Sequence, residues 1–136
     1  VDGLVGSEMC IRDRWSFELT SQAGDPSISL EQWQQVVDAL LSRDTLVWDD
    51  TDKKGRPRQR DCRPVLETLE IVSPVGDGAS VNQELVDGVR LELLAHIDHQ
   101  GRSLKPAQLQ HWLSEALAQS LRLHNVRRLE LRLVRC

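Results

Sequence analysis

The chain has 136 residues and a net charge of −4, with 40% hydrophobic and 28% charged residues. That length suits one domain, the apolar content is too high for disorder, and no run nears the roughly 18 apolar residues of a membrane span. The mild acidity does not favour nucleic acid as a bulk partner. Three cysteines without paired spacing (Cys10, Cys62, Cys136) exclude a disulfide scaffold or a zinc motif and fit a reducing, cytoplasmic setting.

Residues 4–14, Leu-Val-Gly-Ser-Glu-Met-Cys-Ile-Arg-Asp-Arg, resemble the translation of a transposase adapter used in preparing sequencing libraries. On that reading residues 1–14 are an artefactual, disordered segment. Residues 15–136 are then a single domain and the C-terminal fragment of a larger protein.

Trp15, Phe17 and Leu19 alternate with Ser16, Glu18 and Thr20, a period of two that predicts a strand. A Gly/Asp/Pro loop follows. Ser29, three before Gln32, opens a capping box, and Leu30, Trp33, Val36, Val37, Leu40 and Leu41 recur at helical spacing, predicting a helix over 30–42. Thr45 to Trp48 and Arg58 to Cys62 read as the arms of a hairpin around the polar tip 49–57. Leu66 to Val72 reads as a strand, and 73–88 as an irregular connection. Val89, Leu91, Leu93, Ala95 and Ile97 mark the clearest strand. Pro106 suits a first helical turn, with Leu109, Trp112, Leu113, Ala116, Leu117 and Ser120 along one face. Leu129, Leu131 and Leu133 alternate with charged residues in a closing strand. Two one-sided helices among these strands predict an α+β, ferredoxin-like βαββαβ sandwich with an inserted hairpin. Both helices then lie on one face of an antiparallel sheet.

The sharpest chemical feature is the basic run Lys53, Lys54, Arg56, Arg58, Arg60 and Arg63. If the hairpin forms, Arg58, Arg60 and Cys62 share a face. That face could follow a phosphate backbone, with Trp48 as a stacking group, or dock a protein. The competing reading is a solvated tip neutralised by Asp49, Asp50 and Asp52. Asp61 and Arg63, before Pro64, read as a structural clamp, the guanidinium fork satisfying carbonyls or a carboxylate. His96 and His99 fall on opposite strand faces and His111 and His124 lack ligand-type neighbours, so no metal site is predicted. Cys62 and Cys136 have no nearby histidine, and Trp33 and Trp112 read as core anchors. No glycine-rich phosphate loop, serine elbow or carboxylate pair is present, so no catalytic residue is assigned to this fragment.

Asp52-Lys53-Lys54-Gly55, Asp61-Cys62-Arg63-Pro64-Val65-Leu66, Val89-Arg90-Leu91-Glu92-Leu93, Arg102-Ser103-Leu104-Lys105-Pro106 and Val126-Arg127-Arg128-Leu129 carry a family likeness. Through them the chain resembles an uncharacterised bacterial domain. That domain lies downstream of the catalytic core in radical SAM proteins with a cobalamin-binding-type N-terminal region, or occurs as a separate radical SAM-associated protein. The resemblance implies a non-catalytic accessory domain positioning a substrate, RNA or protein, for the upstream radical SAM core. The alternative is a purely structural docking domain on that core. The iron–sulfur cluster, S-adenosylmethionine and cobalamin of such a parent would all lie outside this fragment. The Ser-His-Leu-Asp-type and Phe-Asn-Pro-His-type segments of the family's earlier half are missing here.

Overall fold

A computed structural model describes residues 9–22, 24–51, 53–75, 85–97 and 103–135. His99, Arg102, Asp52, Cys136 and most of the predicted 73–88 connection lie outside the described residues, as do residues 1–8 of the foreign-looking stretch.

The protein is a mixed α/β fold of two helices and an antiparallel sheet. Four long strands, β1 (Met9–Thr20), β5 (Leu66–Val75), β7 (Gly88–Ile97) and β8 (Arg122–Arg135), form that sheet in the order β5-β7-β1-β8. β1 is central, antiparallel to both β7 and β8, and Leu19 faces Val89 on one side and Leu123 on the other. The strand expected from Trp15 therefore begins earlier, at Met9. Ile11, Asp13 and Trp15 continue the alternation of Phe17 and Leu19, so the pairing extends without a change of face.

α1 (Leu30–Leu41) starts at the capping box expected from Ser29, whose hydroxyl accepts from the Gln32 amide at 3.1 Å. It buries Trp33, Val37 and Leu40, one per turn on a single face. α2 (Pro106–Leu117) buries Leu109, Trp112 and Leu113, and the Gln108 side chain reaches back to accept from the Lys105 amide at 2.9 Å. The helices touch each other and share one core with Phe17, Leu19, Leu69, Val89, Leu91 and Leu93, so they cover the same face of the sheet. Trp33 and Phe17 are fully buried at its centre. At Gly88 a Cβ would lie 2.1 Å from the Leu19 carbonyl oxygen, so only glycine lets β7 enter beside β1.

Two small ribbons complete the fold. β2 (Ile28–Ser29) pairs with β6 (Leu85–Val86), giving strand structure to part of the connection expected to be irregular. β3 (Val47–Thr51) and β4 (Pro57–Asp61) form the inserted hairpin, Trp48 opposite Arg60 and Asp50 opposite Arg58.

The closing strand forms as expected, but on its helix-bearing side Leu131 and Leu133 are 54% and 63% exposed. The reason is length. A helix of 12 residues covers about 18 Å, whereas the 14 residues of β8 run about 46 Å. Only Leu121 and Leu123 at its start meet the core; the rest passes beyond the helices.

Candidate functional site

The basic hairpin forms, but its charge is partly spent within it. Arg58 and Arg60 leave β4 on one face, as period two requires, and Asp50 of β3 stands opposite. Arg58 donates to the two Asp50 oxygens at 2.7 and 3.3 Å, and Arg60 lies 3.1 Å from one of them. The Arg58 hydrogen bond, assisted by the charges of Arg60 and Arg58, holds the Asp50 carboxyl below its ordinary range. Of the neutralising acids named from sequence, Asp50 makes these contacts. Lys53, Lys54 and Arg56 are exposed at the tip, around Gly55 with its positive φ of 78°.

Two expected features of this hairpin are corrected. Cys62 is not on the basic face: it follows β4 and is buried, its sulfur taking a hydrogen bond from Gln108 at 3.7 Å. Trp48 is not an open stacking platform. Its ring stands nearly perpendicular to those of His111 and Trp112, with centroids 5.3 and 5.8 Å away, which ties the hairpin to α2.

Asp61 and Arg63 link the hairpin to α1. One Asp61 oxygen accepts from the amides of Leu46 and Arg63, at 2.8 and 3.0 Å. The Arg63 guanidinium donates to three carbonyls: Leu41 at 2.9 Å, Leu66 at 3.0 Å and Arg43 at 3.1 Å. A planar fork satisfies carbonyls that the last turn of α1 leaves without helical partners. Arg63 is thereby set apart from Arg58 and Arg60 in position and in use.

The histidines stay apart. His96 lies 3.5 Å from Glu67, His111 3.2 Å from Glu115, and His124 bonds Thr20 at 3.0 Å. Among the described residues no group of three His, Cys, Asp or Glu side chains is placed to hold a metal ion. No helix there is long and apolar enough to cross a membrane.

Two surfaces were not singled out from sequence. The first is the end of the sheet that the helices do not reach, where Leu131 and Leu133 stand in register with Asp13 and Ile11 on the helix-bearing side. Arg128 closes the core there. Its guanidinium sits 4.6 Å over the Trp15 ring and 3.0 Å from Asp13, which is 1% exposed. Beyond it Ile11, Leu131 and Leu133 remain open to solvent.

The second is the opposite face, a lattice of ion pairs: Arg12 with Glu67 at 3.0 Å, Arg14 with Glu92 at 3.3 Å, Arg90 with Glu18 at 2.9 Å. Glu18 is 8% exposed, and bonds from Arg90 and then Asn125 hold its carboxyl below the usual range against the opposing effect of burial. One sequence signal did mark this region. Arg127 and Arg128 are consecutive in an otherwise alternating strand, which points to a break in register; β8 shifts against β1 on both sides of that pair.

A family model described as an uncharacterized protein conserved in bacteria (DUF2344) matches residues 5–106. The match takes in part of the foreign-looking stretch and ends where α2 begins. No curated protein and no solved structure matches the chain.

Proposed function

The chain belongs to the bacterial DUF2344 family, and from that premise we propose that it is a cytoplasmic accessory domain that docks on the catalytic core of a radical SAM protein, in the same or a companion chain. The fold we read as ferredoxin-like; the order β5-β7-β1-β8 and the two helices on one face support that reading. The observation that carries docking is the uncovered end of the sheet, where Leu131 and Leu133 are more than half exposed beside Ile11. Neighbouring apolar side chains on a long edge strand favour burial against a protein, and the strand's free backbone groups add pairing capacity. Catalysis, and any iron–sulfur cluster, S-adenosylmethionine or cobalamin, is assigned to the partner core. Docking is favoured over RNA positioning because Arg58 and Arg60 both face Asp50, which lowers the charge available to phosphates.

The test is co-purification of the chain with a radical SAM core protein. The double variant Leu131→Asp, Leu133→Asp is expected to weaken binding about tenfold or more while its thermal unfolding stays that of the parent chain. The triple variant Lys53→Glu, Lys54→Glu, Arg56→Glu is expected to bind as the parent chain does. The opposite pattern, with binding intact in the edge variant and lost in the hairpin variant, overturns docking. Salt-sensitive RNA binding lost in the same hairpin variant would replace docking with the RNA reading.

A further inference from the structure

The bare face of the sheet holds a cleft of about 500 Å3 lined by Ser16, Arg90, Asn125, Val126, Arg127 and Leu129. It sits where β8 twice loses register with β1, between Arg14 and Trp15 and between Ser16 and Glu18. Bulges bend a strand and re-aim its side chains, and these two frame the stretch that presents Arg127 opposite Ser16.

The cleft is held in shape from beneath. Asn125 adopts a left-handed φ of 51°, a conformation that asparagine tolerates better than most residues other than glycine. Its amide donates to one Glu18 oxygen at 2.7 Å, and the other oxygen accepts from Arg90 at 2.9 and 3.3 Å. A nearly buried carboxylate thus fixes two walls at once. The charges do not cancel. Glu18 answers Arg90, whereas Arg127 has no ion-pair partner among the described residues. Val126 and Leu129 flank it, 43% and 48% exposed.

We propose that this cleft binds a small organic monocarboxylate, its carboxylate paired with the Arg127 guanidinium beside the Ser16 hydroxyl and its apolar body against Val126 and Leu129. One uncompensated cation matches one negative charge, and a planar guanidinium matches a carboxylate in two parallel bonds. A phosphate dianion would add a second negative charge close to Glu18, and among the described residues lining the cleft no further cation answers it. The volume lies within the range of small-molecule sites. The site is independent of the docking reading: it lies on the other face of the sheet and uses neither Leu131 nor Leu133.

Titration of the 15N-labelled chain with sodium benzoate at constant ionic strength tests it, followed by backbone amide and arginine Nε resonances. Sodium acetate and phenyl phosphate are the comparison probes. Benzoate is expected to give saturable shifts at residues 125–129 and at the Arg127 Nε, acetate to bind more weakly for want of an apolar body, and phenyl phosphate to bind no tighter than benzoate. Arg127→Gln is expected to weaken benzoate about tenfold, and Arg127→Lys to an intermediate degree, as loss of a bidentate pair requires. Arg122→Gln, outside the cleft, is expected to leave binding unchanged. If Arg127→Gln fails to fold, Arg127→Lys and Val126→Ser carry the test. Absence of saturable shifts at 125–129, unchanged affinity in the cleft variants, or tighter binding of phenyl phosphate overturns the proposal. No partner protein is present, so failure here leaves the docking test untouched.

Discussion

The two faces of the four-stranded sheet are made by alternate residues of the same strands, yet they are held by different forces. On one face Phe17, Leu19, Leu91 and Leu93 meet Trp33, Val37, Leu109 and Trp112 in a closed apolar core. On the other, Arg90, Glu18, Arg14 and Glu92 form ion pairs at the boundary with water. The covered face is held by area removed from water, an effect without direction that packing converts into stability. The bare face is held by directional contacts that solvent screens, each adding little to stability but fixing where charges stand. Stability therefore resides where the helices cover the sheet, and recognition is free to develop on the surfaces they leave open.

The sharpest way to break this contrast is to open the core. Trp33→Ala, at a fully buried position, is expected to destabilise the fold by about 3–5 kcal/mol in denaturant unfolding. A loss under 1 kcal/mol would mean that the helices do not rely on the shared core. Next is the clamp at the rim of that face. Arg63→Met removes donors from three carbonyls and is expected to cost about 2–3 kcal/mol, with faster amide exchange at the end of α1 and the start of β5. An exchange pattern confined to the hairpin would contradict that placement.

On the bare face the effects shrink and become dependent on pH. Glu18→Gln is expected to cost about 1–2 kcal/mol at neutral pH. Because the Glu18 carboxyl is held below its ordinary range in the fold, its contribution is complete above the unfolded glutamate value of about 4.3. It is lost as pH falls through the lower folded value. The difference between parent and variant should therefore narrow on acidification, and a difference that widened would reverse the assignment. The smallest effect is expected at the hairpin, where Asp50→Asn should leave global unfolding unchanged and only speed amide exchange across β3 and β4. The same sign applies: its contribution is present at neutral pH and fades in acid.

Much of the frame was legible. Period two in 15–20 and 89–97, the Ser29 capping box and Pro106 at a first helical turn all express local geometry, which short stretches of sequence encode directly. Trp33 and Trp112 were readable as anchors because helical spacing places them among other apolar residues. The site was less legible. The basic run is plain in sequence, but that Asp50 would face both Arg58 and Arg60 depended on the hairpin register. That Trp48 would be closed off by His111 and Trp112 depended on where α2 docks. That Leu131 and Leu133 of β8 would stand open was not legible, because alternation reports which side a residue faces, not whether anything covers that side.

Sequence alone determined the helices, the main strands and their apolar faces, because these follow from interactions within a few residues along the chain. Tertiary structure alone decided which surfaces stay open. The sheet outruns the helices that cover it, and Glu18, Arg90 and Asn125, distant in sequence, become one network only when β1 lies between β7 and β8. Exposure depends on the relative lengths and docking of whole elements, which local patterning does not encode.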